Sequence, residues 1–252
     1  MTRWKLCLEY DGGGFVGWQR QDNGPSVQQA LEAAILRFAG ERVDVVGAGR
    51  TDSGVHATGQ VAHFDLAKPA AADTVRDALN HHLRPQPVAV IAAEAVADDF
   101  HARFSATERA YLYRIANRRP PPVLDRGRVW WVPIPLDAGA MAEGARHLVG
   151  HHDFTSFRAS ECQAASPLKT LDVLTVRRNG EDIRLEVRAR SFLHHQVRNI
   201  AGTLKLVGEG KWRPEDVAHA LAARDRRRAG PTAPAQGLYL TEVVYDERFI
   251  SA

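Results

Sequence analysis

Cysteine is scarce in this chain: only Cys7 and Cys162 occur in 252 residues, and they are far apart. Two distant thiols exclude a disulfide framework, fit a reducing compartment, and are expected to be small buried side chains. There is no run of eighteen apolar residues, so no membrane span is expected. The N-terminal stretch MTRWKLCLEYDGG meets Glu9 and Asp11 before any apolar segment develops, which argues against a signal peptide. Cytoplasm is the expected location. The Gly12-Gly13-Gly14 run lacks both the Rossmann spacing and the Lys-Ser/Thr of a phosphate loop. Eleven histidines include the pairs 81/82, 151/152 and 194/195, yet adjacent residues point in different directions and no HExxH or paired CxxC is present. No metal is expected.

What is present is an ordinary globular composition, 44% hydrophobic and 25% charged, long enough to bury a substantial core in one large domain or two smaller ones. The net charge of +3 conceals a division. Residues 1–104 hold 10 Lys and Arg against 13 Asp and Glu; residues 105–252 hold 23 against 17. Only five of the 33 basic residues are lysine, and two arginine groups stand out, Arg118, Arg119, Arg126 and Arg128, then Arg224, Arg226, Arg227 and Arg228. Each suits phosphate recognition by planar forked donors, and each equally suits a solvated basic surface.

Periodicity divides the chain into two α+β halves. In the first, Trp4, Leu6 and Leu8 alternate with Lys5, Cys7 and Glu9 as a strand over 3–10, and Ser26 caps a helix carried by Val27, Ala30, Leu31, Ala34, Ile35 and Phe38. Strands near 43–47 and 59–66, a helix over 73–83 and a strand over 88–96 complete the order βαββαβ, which suits an antiparallel sheet with helices on one face. The second half reads as a strand over 109–117, a Pro-rich loop at 120–122, a helix over 137–148, and strands over 171–178 and 183–190 joined by an Asn179-Gly180 hairpin signal. A long helix over 192–207, a shorter one opened by Pro214, and a last strand over 237–245 follow. The expected subdomains are 1–104 and 105–252.

One segment stands apart. Gly47-Ala-Gly-Arg-Thr-Asp-Ser-Gly-Val-His56 sets Asp52 in a glycine-rich loop between two strands, flanked by Arg50. Glycines 47, 49, 54 and 59 permit unusual backbone angles and close approach by a large substrate. A carboxylate beside arginine keeps its charge and can act as nucleophile or general base. The bland alternative is an Asp that caps a turn and an Arg that pairs at the surface.

The wider string GAGRTDSGVHATGQVAHF resembles the signature of the pseudouridine synthases of the TruA type, which modify the anticodon arm of tRNA. Further stretches resemble that family in the same order: Tyr10–Gln19 (YDGGGFVGWQ), Phe100–Ala106 (FHARFSA), Asp153–Phe157 (DFTSF), Phe192–Asn199 (FLHHQVRN) and Ala233–Leu240 (APAQGLYL). The resemblance implies a pseudouridine synthase fold of class α+β, two α+β subdomains sharing a mixed, mainly antiparallel sheet with a central cleft. It implies an isomerase that converts uridine to pseudouridine at positions 38, 39 and 40 of the tRNA anticodon stem-loop by base flipping. That reaction has no net redox change and no group donor, so no cofactor is required. tRNA is the implied partner, and a homodimer the implied assembly.

By the same resemblance, Asp52 is the catalytic aspartate and Arg198 the arginine that pairs with it. Tyr111 packs on the target base, Arg50 enters the space the base vacates, and Leu238 belongs to the apolar floor beneath it. From spacing alone, His194, His195 and Arg198 are expected on one side of the long helix, and Tyr111 and Tyr113 on one sheet face. Two positions depart from the family pattern: Ala110 stands where a basic residue is common, and Gln196 where methionine is, the latter expected to alter packing rather than chemistry. Two other functions stay open at this point. A non-catalytic RNA-binding module needs no carboxylate at 52, and a nucleosidase using Asp52 with water would release free uracil.

Overall fold

A computed structural model of the protein describes residues 1–249. In chain order its elements are β1 (Thr2–Tyr10), α1 (Val27–Ala39), β2 (Val46–Gly47), β3 (His56–Leu66), α2 (Ala72–Leu83), β4 (Val88–Val96), β5 (Ala106–Asn117), β6 (Trp130–Val132), α3 (Ala138–Arg146), β7 (Gly150–Asp153), β8 (Leu168–Leu171), β9 (Val173–Asn179), β10 (Asp182–Ala189), α4 (Gln196–Gly208), α5 (Pro214–Ala223) and β11 (Leu238–Tyr245). They form two compact units. The first comprises Met1–Arg109 with the described residues from Tyr239 onward; the second is Ala110–Leu238. Each is a mixed sheet with helices, so the α+β class expected from the sequence is what the chain adopts.

The first unit is organised by β1, which pairs antiparallel with β3 on one side (Leu6 opposite Ala62) and β4 on the other (Leu6 opposite Ala93). Its alternation places Trp4, Leu6, Leu8 and Tyr10 in the core. The start of β3 is joined in parallel by β11, with Tyr239 opposite His56. That pairing returns the end of the chain to the first unit, whereas the sequence reading assigned everything after 104 to the second. Nothing local in Leu238–Tyr245 distinguishes a strand that stays from one that returns. Helix α1 is capped at Ser26, whose Oγ accepts from Gln29 N (3.2 Å), and ends at Gly40 in the left-handed conformation. It buries Leu31 and Ile35 and packs against α2, which lies on β4. The strand expected near 43–47 shortens to Val46–Gly47, and the one expected from 59 begins earlier, at His56.

In the second unit, β9 and β10 form the antiparallel hairpin that Asn179-Gly180 signals, with Gly180 at φ 59°. Strand β5 continues the sheet beside β10, and the three-residue β6 runs parallel to β5. Helix α3, capped by Asp137, packs on β9 and against α4 and α5. A small separate ladder joins β7 to β8. Strands β6, β7 and β8 escape a periodicity search because three or four residues are too few to show an alternation.

Helix α4 corrects one expectation. His195 adopts a left-handed conformation (φ 62°) and the helix begins at Gln196, so neither His194 nor His195 lies on it with Arg198. The buried Gln196 explains the turn: its side-chain Oε1 accepts from Leu193 N (2.8 Å), and its backbone N–H donates to Leu193 O (3.1 Å). A thioether is a much weaker acceptor at that position, so the glutamine contributes a hydrogen bond as well as packing.

Candidate active site

The aspartate loop, residues 47–56, is held from several directions, all within the first unit. Trp18 N–H donates to Thr51 O (3.0 Å), Val55 N–H to Asp52 O (3.1 Å), and Ala48 N–H to Val61 O (2.7 Å). Gly17 and Asp52 form an isolated antiparallel bridge. Such proximity requires glycine at 17: its φ is +121°, and an added Cβ would stand 2.7 Å from Thr51 O and 3.3 Å from the Asp52 carbonyl carbon. Further support comes from Ser53 Oγ donating to Phe15 O (3.2 Å) and from Arg109, whose Nε and Nη2 donate to Ala48 O at 3.2 and 2.9 Å. At the loop's far end the buried His56 accepts from Gly12 N at Nδ1 (3.0 Å) and stacks on Tyr239 with ring centroids 4.9 Å apart. Of the four glycines singled out from the sequence, only Gly54 takes a positive φ.

Between the buried Thr51 and Val55, Asp52 is half-buried, and Arg50 is exposed. A rigid backbone therefore presents a carboxylate that retains access to solvent. Beneath it lie three polar side chains of the core. The Tyr10 hydroxyl shares a hydrogen bond with Thr51 Oγ1 (2.8 Å), and Gln60 Nε2 donates to Gly49 O (2.9 Å) and to the Tyr10 hydroxyl (3.3 Å). Burial pushes the Tyr10 phenol up to about 12 despite these two partners, so it stays neutral at physiological pH.

The second unit holds Tyr111, Arg198 and Leu238. Tyr111, on β5, is half-buried with its ring edge-on to Phe192 at 4.9 Å between centroids. Tyr113, two residues on, is fully buried; its hydroxyl donates to Pro234 O (2.7 Å), and burial raises its pKa far above the usual phenol range, with the charge of nearby Arg198 acting in the opposite direction. Arg198 is half-buried on the first turn of α4. Its Nε donates to Ala233 O (2.8 Å), while Ala233 N–H donates to Arg198 O (3.1 Å). Leu238 is 6% exposed at the start of β11.

The segment holding Ala233 is itself fastened to α4. Asn199, fully buried, accepts at Oδ1 from Thr232 Oγ1 (2.6 Å) and Arg226 Nη2 (3.0 Å) and donates from Nδ2 to Phe157 O (2.8 Å). Thr203 Oγ1 donates to Asn199 O (2.7 Å) and accepts from Gly230 N (2.9 Å). The two backbones run so close that a Cβ on Gly202 would overlap Pro231 O at 1.7 Å. Arg198 thus projects from a helix start fixed by buried polar bonds on its neighbouring residue.

A family model described as tRNA pseudouridine synthase matches residues 6–105 and 145–246, segments that include the aspartate loop and the first turn of α4. The chain belongs to the tRNA pseudouridine synthase family. Its reaction is the isomerisation of uridine to pseudouridine. Among relatives, the tRNA pseudouridine synthase A of Paramagnetospirillum magneticum is 67% identical over 245 residues, covering 97% of this chain and 96% of the relative. That of Rhodospirillum centenum is likewise 67% identical, over 97% of this chain and 100% of the relative. That of Azorhizobium caulinodans is 62% identical over 99% of this chain and 97% of the relative. No helix among the described residues is long and apolar enough to cross a membrane.

Two features of the synthase were not legible from motifs. The second arginine group divides by role: Arg226 turns inward, donating to Asn199 Oδ1, Thr232 Oγ1 and Gly230 O, and burial lowers its pKa. Arg227 pairs with Asp225 at 2.7 Å, holding that carboxyl down to about 2, and Arg224 Nε lies 3.5 Å from Asp153. In the first group Arg118 pairs with Glu181 at 3.0 Å. The second feature is the Tyr10, Thr51 and Gln60 set. Tyr10 and Gln60 lie inside the stretches that carried the family resemblance, and a polar residue at a strand's inward-facing position is the signal that marks them.

Proposed function

We propose that this tRNA pseudouridine synthase acts on uridines at positions 38, 39 and 40 of the anticodon stem-loop, with Asp52 as the nucleophile toward a uridine flipped out of the RNA stack. The observation that carries the reading is the loop itself: a half-buried carboxylate on a backbone fixed by Trp18, Gly17, Arg109 and the Tyr10–Gln60 pair. Flipping a base costs a few kcal/mol, which stacking and phosphate contacts must offset. Tyr111, half-buried, supplies roughly 1–3 kcal/mol by stacking on uracil. Arg198 is the partner that keeps Asp52 ionised and aimed, Arg50 enters the gap left by the base, and Leu238 contributes apolar floor. No cofactor or metal takes part, and a homodimer lets one tRNA dock on one subunit while presenting a base to the other.

Incubation with unmodified tRNA, followed by site-by-site mapping of pseudouridine, tests the target. Asp52→Asn should abolish product while tRNA binding persists; retained turnover, or free uracil in place of the isomer, refutes the assignment. Replacing Arg198 should depress turnover more than affinity. Light scattering across concentration tests the dimer, and a monomer active at high dilution would refute it.

A further inference from the structure

Burying a phenol and a carboxamide is costly unless their polar atoms are bonded, and in a purely structural core phenylalanine and leucine would serve at those strand positions. In the first unit Tyr10 is 4% exposed and Gln60 0%, and both direct their polar atoms at the residues on either side of Arg50. Gln60 Nε2 grips the Gly49 carbonyl at 2.9 Å, and its Oε1 is itself fixed by Val61 N–H at 3.2 Å. The Tyr10 hydroxyl meets Thr51 Oγ1 at 2.8 Å and is linked to Gln60 Nε2 at 3.3 Å. Thr51 is further held at its carbonyl by Trp18 N–H at 3.0 Å, so its side chain and its peptide are both pinned, from two different segments.

We infer that Tyr10 and Gln60 are positioning residues for the isomerisation: through Thr51 Oγ1 and Gly49 O they set the backbone from which Asp52 projects, and act on turnover rather than on tRNA affinity. Neither touches the reacting atoms. The geometry is a relay across two strands, from Gln60 on β3 to Tyr10 on β1 to Thr51 in the loop, and each link is a single neutral hydrogen bond whose loss leaves the packing of the ring or methyl group in place. A reacting carboxylate displaced by an ångström loses rate steeply because near-attack geometry is a steep function of distance. The inference rests on the reading of Asp52 as the nucleophile.

The test is single-turnover pseudouridine formation on unmodified tRNA at saturating enzyme, alongside tRNA Kd and Tm, for Tyr10→Phe, Thr51→Val, Thr51→Ser and the Tyr10→Phe/Thr51→Val pair. Tyr10→Phe and Thr51→Val should each slow the step by about tenfold with Kd within about twofold of the parent. Thr51→Ser, which keeps the hydroxyl, should run near the parental rate, and the double variant should be no slower than Tyr10→Phe, because that change already removes the bond to Thr51 Oγ1 together with the one from Gln60 Nε2. A parental rate in Tyr10→Phe, multiplicative losses in the double variant, or a change confined to Kd would overturn the inference. If Tyr10→Phe does not fold, the contrast of Thr51→Val with Thr51→Ser decides it: equal rates overturn it, rescue by serine supports it. Asp52→Asn run in parallel separates the two failures. An inactive Asp52→Asn beside a parental Tyr10→Phe removes the positioning role alone, whereas an active Asp52→Asn removes the nucleophile and the inference together.

Discussion

Replacing Gly17 with alanine perturbs the aspartate loop from outside it, without touching any proposed reacting group. Two costs follow from the geometry. At φ +121° an L side chain occupies a backbone region nearly reserved for glycine, a strain of about 1–3 kcal/mol. The new methyl would also stand 2.7 Å from Thr51 O and 3.3 Å from Ser53 N, contacts with backbone that cannot swing away as a side chain can. Relief requires the Gly17 and Thr51–Ser53 segments to part, which lengthens the Trp18 N–H to Thr51 O bond, now 3.0 Å, at a further net cost of about 1 kcal/mol. The expected loss of stability is about 2–4 kcal/mol, read by urea denaturation as a lower midpoint with an unchanged slope. Gly14→Ala is the matched control, since a Cβ there meets nothing within 4 Å and its φ is not positive. It should change stability by less than about 1 kcal/mol. Because the displaced segment carries Asp52, Gly17→Ala should also lower single-turnover pseudouridine formation by more than its unfolded fraction accounts for. A Gly17→Ala protein as stable and as active as Gly14→Ala would refute the claim that this contact fixes the loop.

The inward Arg226 should behave unlike its neighbours. Arg226→Ala strips bonds from Asn199 Oδ1 and Gly230 O in a buried network and should destabilise by about 2–3 kcal/mol in thermal or urea melts, whereas Arg227→Ala, with an exposed side chain, should leave the melt unchanged. Acid should weaken the first unit through His63. Burial first, then the charges of His101 and Arg3, bring its pKa down to about 4, with Asp65 opposing. Its Nδ1 accepts from Ala102 N (3.1 Å), a bond only the neutral ring can make. The folded pKa lies below the unfolded one near 6.5, so the contribution is complete above that value and is lost as pH falls from there through about 4. Roughly 3 kcal/mol is at stake. Melts of His63→Asn between pH 7 and pH 4 should be flatter with pH than those of the parent, and an identical slope would refute the assignment.

The parts of the fold readable in the sequence are those whose cause is local. The alternation of Trp4, Leu6 and Leu8, the Ser26 cap with the helix to Ala39, the Asn179-Gly180 hairpin and Pro214 at a helix start each depend on a few neighbouring residues, and the structure has them all. What was not readable depends on partners distant in sequence. Strand β11 is an ordinary alternating strand, and only its parallel pairing with His56 and Ala57 returns it to the first unit. His195 satisfies helical spacing with Arg198, yet the turn made by Leu193 and Gln196 forces it to a positive φ before the helix begins. A helix boundary set by one side-chain-to-backbone bond carries no periodic trace.

The arginines show the same division within one short run. Arg224, Arg226, Arg227 and Arg228 are chemically alike and contiguous enough to suggest one phosphate-binding surface. Yet Arg226 serves as an internal strut, and that role is written in Asn199, Thr232 and Gly230 rather than in the arginine. The consequence reaches the proposed site. Arg198 exchanges two hydrogen bonds with Ala233, and Ala233 follows directly on Thr232, which with Arg226 converges on Asn199. Reorienting the Arg198 side chain breaks its bond to Ala233 O, and the segment that presents this carbonyl is itself held through Thr232 to a carboxamide with no access to water. The same logic governs the carboxylate in the other unit, where Tyr10 and Gln60 brace Gly49 and Thr51. In both units neutral polar side chains brace the backbone around a candidate reacting group, Tyr10 and Gln60 in one and Asn199, Thr203 and Thr232 in the other, and an inward-turned arginine, Arg109 or Arg226, adds to each.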